Sequence, residues 1–556
     1  MRHRIQILSA VALALGAMSI GYASAARAAD PAALAPAGLA GDVDLLVGRI
    51  EALHPNPFRK VARQKFEADA AALKQAMPGL SREQAIAGLM RLVAKVGEGH
   101  TSVPPAQPSG GFHVLPLRLQ LDDGSLYVAA CDRRYQRALG WTLRSINGIP
   151  ASEVLPRVRP LVSGDNSFTV DGRVAGYLVV PEILKGVGII GDATKSVPMT
   201  LVRGGREMRI SVAPAVFQNS MMMNFLRAAY SNEWVDAEPA PPPLWLRHPD
   251  KPYWFEAEPA TGTIFVQYNN ATNDPADPMP DFARRLRKQI DDTKPSRVIL
   301  DLRMNSGGEA FWNRPLLLAL LRSDWLEQPG RLFVLIGPQT FSAGTLLAID
   351  LEKYSKVVFI GQPTGGAIQN FGNHQAVRLP ASGLVVLIAT KYYQNDGPND
   401  DRPFVAPQLA AGMSAADYLA GRDQAVDLAV DYRPPAEALH AALAASPADQ
   451  AASIFAAFKA EKVYRYLDTE PVLIEVGYDF IHAKELPRAI ATMQLATAEH
   501  PQSANAYDSL GDAYRAAGDR DAAIASYKKA LAIAPEWQSS IESLKALGAP
   551  VPQQHH

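Results

Sequence analysis

The residues best placed for chemistry lie in Arg331 to Tyr354, RLFVLIGPQTFSAGTLLAIDLEKY. An apolar run, a short turn holding Ser342 and a helical pattern follow one another. That order lifts a hydroxyl clear of the backbone and aims the positive end of a helix dipole at it. A helix-opening serine also suits an ordinary N-cap, so both readings stand. About thirty residues earlier a second apolar run, Arg297 to Leu302, ends in Asn305-Ser306-Gly307-Gly308. A hydroxyl beside a glycine loop with unshielded N–H groups is the equipment of acyl transfer. The N–H of Ala343 would be one oxyanion donor, and Gly307 or Gly308 the other.

These segments need a scaffold. Strand and helix patterns alternate from Thr263 to Ile360: strands at Thr263 to Tyr268, Arg297 to Leu302, Arg331 to Ile336 and Lys356 to Ile360, with helices at Asp281 to Asp291, Arg314 to Leu321 and Ser342 to Glu352. Such alternation implies a largely parallel sheet, with ligands at the carboxyl ends of its strands. Two β segments follow, His374 to Leu379 and Leu384 to Thr390. Upstream, Asp42 to Leu53, Lys65 to Met77 and Arg82 to Val96 have helical periodicity, the last behind a Ser81 cap. Between about 113 and 215, short strands alternate with Asp-Gly, Asn-Gly and Gly-Gly turns. Leu139-Gly140-Trp141 through Ile146-Asn147-Gly148 resembles the groove region of PDZ domains, with a long insertion from Arg157 to Lys195; a small β-barrel that binds no peptide fits equally. Met221 to Pro259 has no clear periodicity.

The tail repeats itself. Gly477 and Gly511, Ile490 and Ile524, and Pro501 and Pro535 are each one period of about 34 residues apart. With Leu510-Gly511-Asp512-Ala513-Tyr514, this resembles tetratricopeptide repeats. The resemblance implies a short helical solenoid, beginning with Pro435 to Tyr466, that either packs on the chain itself or holds a protein partner.

Three segments together resemble the S41 peptidases, which include the tail-specific, or C-terminal processing, proteases and the tricorn core. They are Asp301-Leu302-Arg303-Met304-Asn305-Ser306-Gly307-Gly308, Thr340-Phe341-Ser342-Ala343 and Gly361-Gln362-Pro363-Thr364-Gly365-Gly366. The likeness covers about residues 40 to 430 and implies a multidomain α/β chain with a crotonase-like (ClpP/crotonase type) catalytic core. The segments expected are a signal peptide at 1–28, an N-terminal helical cap at 29–105, a PDZ-like β domain at 106–215, the catalytic core at 216–434 and TPR-like helices at 435–546. Processing proteases of this group use a serine–lysine dyad. Here Ala367 stands where the lysine belongs, and Lys353, Lys356 and Lys391 do not match. The tricorn branch instead draws a histidine from the cap side, and His100 in Gly97-Glu98-Gly99-His100-Thr101 holds that place. The resemblance thus implies Ser342 as nucleophile, His100 as base and Asp401, or Asp400 beside it, as the orienting acid in Asn399 to Pro407. His54, in Leu53-His54-Pro55-Asn56-Pro57-Phe58, is the rival base. His374 reads as structural. The turn at Thr340 to Gly344 nearly reproduces a nucleophile elbow, but Thr340 replaces its first glycine and no late histidine follows, so an α/β-hydrolase does not fit.

Composition narrows the rest. The chain has 556 residues, 48% apolar and 20% charged, with a formal net charge of −1. That balance argues for a globular protein and against bulk binding of nucleic acid. A basic start at Arg2 and Arg4, an apolar Ile5 to Ile20 and small residues at Ala26 and Ala28 suggest a secretory signal peptide, with an uncleaved anchor as the alternative. No later run reaches the roughly 20 apolar residues of a membrane helix. The expected location is the bacterial periplasm or exterior. Cys131 is the single cysteine and reads as a small buried apolar residue. No metal or cofactor is expected: paired cysteines and His-Glu-x-x-His are absent, and the aspartates of Asn273 to Asp281 do not form a calcium loop. The expected function is a secreted serine endopeptidase acting on a peptide or protein substrate. A silent relative that binds peptides or apolar ligands is the alternative.

Overall fold

A computed structural model describes residues 36–107, 111–217, 234–236, 243–248 and 250–552. The segment read as a signal peptide lies outside the described residues. Those described fall into two compact units, one comprising 36–406 with 411–430, the other 407–410 with 431–552.

In the first unit the cap is three helices, α1 (Pro36–Leu53), α2 (Arg63–Ala76) and α3 (Arg82–Ala94). Ser81 caps α3 in a capping box: its hydroxyl accepts from the Gln84 amide, and the Gln84 side chain accepts from the Ser81 amide at 2.9 Å. The cap shares one hydrophobic core with an antiparallel sheet in the order β1 (Leu117–Asp122), β2 (Ser125–Asp132), β3 (Thr142–Ile146), β4 (Val197–Arg203) and β5 (Arg206–Val212). The insertion expected between β3 and β4 is helical and includes α4 (Ser167–Tyr177), capped by Asn166. Cys131 is buried in this core, where loss of solvation pushes its thiol up to about 12 and keeps it protonated.

The second core surrounds the parallel sheet. β6 (Tyr253–Glu258) runs antiparallel to β7 (Thr263–Tyr268), and β8 (Arg297–Asp301), β9 (Leu332–Ile336) and β10 (Val358–Gly361) follow in parallel register. Helices α5 (Met279–Thr293), α6 (Asn313–Leu321) and α7 (Ala343–Tyr354) connect them. Every side chain of β7 and β9 is buried, as parallel strands covered on both faces require. β6 occupies part of the segment that lacked periodicity. Its aromatics pack on Phe265 and Phe282, so contacts beyond its own sequence define it. A hairpin of β11 (Gln375–Arg378) and β12 (Val385–Ile388) returns to the first core.

In the second unit helices pair as repeats: α8 (Pro435–Ala444), α9 (Ala451–Ala460), α10 (Thr469–His482), α11 (Leu486–Glu499), α12 (Ala504–Ala516), α13 (Arg520–Ile533) and α14 (Gln538–Ala546). The repeated glycines explain the period. A Cβ on Gly477 would stand 2.4 Å from Met493, and one on Gly511 would stand 2.5 Å from Tyr527. Each glycine lets one helix of a pair close on the next. Among the described residues, no helix is long and apolar enough to cross a membrane.

Buried Asp42 of α1 accepts the Ala381 and Ser382 amides at 3.0 and 2.6 Å, tying the cap to the hairpin turn. Asp42→Ala leaves two buried donors without acceptors. The expected cost is about 2–4 kcal/mol, read from the midpoint of urea unfolding. Asp42→Asn, which keeps one acceptor, is expected to lose roughly half as much.

Candidate active site

Strand β9 ends at Ile336, and Gly337 to Phe341 turn the chain into α7. Thr340, which stands where an elbow would have glycine, organises that turn. Its hydroxyl donates to the Leu302 carbonyl (2.9 Å) and accepts from the Gly337 amide (3.0 Å), while its carbonyl accepts from Gly365, Gly366 and the Thr345 hydroxyl. Ser342 is forced to φ +50° and ψ −124°, a conformation L residues avoid. It occupies the N-cap position of α7, yet its hydroxyl caps no backbone amide. The capping reading therefore gives way: the hydroxyl faces the His100 Nε2 at 3.0 Å, across 242 positions of chain.

The glycine loop packs against the same atoms. A Cβ on Gly307 (φ +118°) would stand 2.7 Å from the Ser342 Cβ and 3.1 Å from its Oγ. Gly307 thus makes room for the Ser342 side chain. Its amide is not an oxyanion donor, because it donates to the Asn305 Oδ1 at 3.0 Å. The Gly308 and Ala343 amides have no protein acceptor among the described residues, which leaves them as the candidate pair. Buried Asn305 also donates to the Tyr268 carbonyl and accepts the Phe341 amide. Asn313 donates to the Ala343 carbonyl at 2.7 Å and accepts from the Tyr268 hydroxyl. Glycine loop and helix start are thereby fixed to each other.

His100 is held from three sides. Its ring stacks on Phe341 with centroids 4.6 Å apart, and the Arg173 guanidinium covers that phenyl ring at 4.5 Å. Arg173 also donates to the Gly99 carbonyl (2.9 Å). Asp165 accepts the Gly99 amide at 2.7 Å with one oxygen and the Ala367 amide at 3.1 Å with the other. Ser102 exchanges both backbone hydrogen bonds with Leu387 of β12. Asp165 and Arg173 come from the insertion, which the sequence reading treated as an interruption. Their signal was weak, since a buried charge has no local pattern. Ala367, in the place of a dyad lysine, uses its amide to hold this clamp. Lys353 is bound to Asp396 at the surface.

Electrostatics set the base. Burial pushes the His100 imidazole down to about 4, with nearby Arg173 and His374 adding to the effect and Glu98 opposing it. The ring is neutral near pH 7, as a general base must be. Burial, with the nearby Glu98 charge, raises Asp165 to about 6, against the lowering by its two amide donors and Lys60.

Two expected roles are not supported by the placements. Asp401 does not meet His100: its exposed carboxylate accepts from Arg59 at 2.5 Å. Asp400 is held by Arg402, which also pairs with Glu352. Asp401 is thus held by Arg59 from a distant segment, and Asp400 by Arg402 within its own loop. His54 is not against Ser342 either. It is buried, lies tilted against Phe371 with ring centroids 4.4 Å apart, and faces Glu98. Among the described residues, no cluster of three metal-ligating side chains occurs.

A Cβ added to Gly99 would stand 2.6 Å from the Phe341 ring, itself sandwiched between His100 and Arg173. Gly99→Ala is expected to shift the His100 ring and to lower any Ser342-dependent turnover by about 100-fold, with a stability loss of about 1–3 kcal/mol. Turnover and urea unfolding of the same variant check this.

The carboxy-terminal helices match the tetratricopeptide repeat family model over residues 484–536. No curated protein matches the chain. Among solved structures, mature CPAF complexed with lactacystin is similar at 14% identity, with a TM-score of 0.52 over 72% of this chain and 100% of that one. A serine-to-alanine mutant of CPAF gives 0.53 at 13% identity, over 72% and 99%. A photosystem II D1 C-terminal processing protease, also 13% identical, gives 0.34 over 67% and 93%. The chain thus shares the fold of mature CPAF and carries tetratricopeptide repeats near its carboxyl terminus.

Proposed function

We propose that this chain is a serine peptidase of the S41 type, working through Ser342 and His100. The observation that carries the reading is the 3.0 Å contact between the His100 Nε2 and the Ser342 Oγ, made at a strained turn where the hydroxyl has no capping work. In the proposed reaction Ser342 attacks the scissile carbonyl carbon and its proton passes to His100. The oxyanion takes hydrogen bonds from the Ala343 and Gly308 amides. His100 then protonates the leaving amine, and water releases the acyl group by the same route in reverse.

The same proposal assigns the parallel sheet to a crotonase-like core and the β1 to β5 sheet to a PDZ-like domain, with the cap, core and repeat limits given by the sequence. It places the mature protein in the periplasm or outside the cell. The repeats fit a role in holding a protein partner. One observation favours a second reading, that of a silent peptide binder: the buried His100 Nδ1 has no hydrogen-bond partner among the described residues, whereas a working triad gives that atom an acceptor.

A fluorogenic peptide library and a fluorophosphonate probe separate the two. Activity and labelling are expected in the parent. Ser342→Ala and His100→Ala are each expected to lower turnover by roughly 10⁴-fold with unchanged melting. A parent that neither cleaves nor labels sinks the enzyme reading.

The pH profile carries a sign. Because His100 titrates near 4, the neutral base persists above that value and is lost as pH falls through it. Activity is expected to hold through pH 5 and to decline only near 4. An acid limb centred at 6.5, the ordinary histidine value, would contradict the buried environment described.

A further inference from the structure

We propose that Glu98, with His54 beside it, is the positioning residue for His100, supplying the negative charge expected from Asp401. This rests on the Ser342–His100 reading and names the group that supports its base.

Glu98 lies two residues before His100 in one tight turn, where Gly97 takes φ +78°. Its carboxylate is buried, with 4% exposure for the residue. One oxygen accepts the His100 backbone amide at 2.6 Å, so the acid fixes the peptide that carries the base. The other oxygen stands 3.5 Å from the His54 Nε2. His54 has a defined tautomer. Its Nδ1 accepts the Asn56 amide at 3.1 Å, so that nitrogen bears no hydrogen and the neutral ring carries its proton on Nε2. That nitrogen is 3.5 Å from Glu98, a polar approach rather than a formed hydrogen bond. Burial pushes the Glu98 carboxyl up, but neighbouring His54, the His100 ring, the Thr101 hydroxyl and the His100 amide together hold it below the usual carboxylate range.

Three polar atoms of this cluster, His54 Nε2, Glu98 Oε1 and His100 Nδ1, are buried without a hydrogen-bond partner among the described residues. Hydrogen-bonding capacity is therefore concentrated where an imidazolium would form. The charged groups facing His100 are Glu98, Arg173 and His374, and of these Glu98 alone favours the protonated ring. Asp165 lies close enough to feel the Glu98 charge, and Lys60 donates to the Asp165 carbonyl. Asp401 lines the same cavity of about 90 Å³, but with Arg59 on its carboxylate.

The test compares Glu98→Gln, Glu98→Asp, His54→Gln and Asp401→Asn, each also made with Ser342→Ala for NMR titration of His100. Glu98→Gln is expected to lower kcat by 10²–10³-fold with little change in KM. It is also expected to move the His100 titration, and with it the acid limb, below the parent value. Glu98→Asp should restore part of both, His54→Gln should produce a smaller shift in the same direction, and Asp401→Asn should stay within about threefold of the parent. A merely structural role for Glu98 would reduce melting temperature and turnover without moving the titration. An unchanged His100 titration in folded Glu98→Gln overturns the proposal, as does a large kcat loss in Asp401→Asn with Glu98→Gln near the parent. The titration is read in Ser342→Ala protein, so it decides the role of Glu98 even if the parent cleaves no peptide.

Discussion

One contact governs this structure: an imidazole from the end of the helical cap against a hydroxyl at the end of a central strand. Neither group reaches the other through local sequence. The hydroxyl is presented by a backbone conformation that an isolated chain would leave, and the surrounding hydrogen bonds of Thr340, Asn305 and Asn313 keep it there. The imidazole is presented by a turn clamped between Asp165, Arg173 and the hairpin. Strain on one side and clamping on the other serve the same end, a fixed 3.0 Å approach before any substrate arrives.

The clamp also sets the chemistry. Packing His100 against Phe341 removes water from the ring and favours its neutral form. A neutral ring accepts the serine proton, but the imidazolium that results is costly in the same surroundings. A nearby negative charge that need not be recruited lowers this cost, and Glu98 is built into the very turn that carries the base. A solvent-exposed carboxylate such as Asp401, screened and held by Arg59, acts on the ring far more weakly.

Much of the first unit was legible where function and local pattern coincide. The strand, turn and helix around Ser342, the glycine loop and the Ser81 cap are each written in contiguous residues. The repeats were legible for a related reason: Gly477 and Gly511 recur because each must admit a large side chain from the next helix. What sequence could not reveal depends on distant partners. Counting back from Pro407 places Asp401 correctly in its loop but is blind to Arg59. The Gly307 amide, one of two candidate donors, is taken by the side chain of Asn305, a choice of hydrogen bond that spacing does not encode. Asp165 and Arg173 lie in the segment read only as a long insertion, because buried charges follow no periodicity.

On the proposed serine-peptidase reading, an alanine rather than a lysine at 367 has a structural consequence. A lysine beside the serine would make the base a property of the parallel-sheet core. With the base on the cap side, the site exists only while the cap turn stays docked on that core. The Ala367 amide then takes part in the docking, through the same Asp165 carboxylate that holds Gly99. Asn166 adds to this by donating to the carbonyls of Thr364 and Gly365, next to Ala367. The loop around Ala367 provides backbone anchors for the turn that carries His100. Integrity of the site therefore depends on tertiary packing between segments far apart in sequence. Loosening the clamp would therefore release His100 from Ser342.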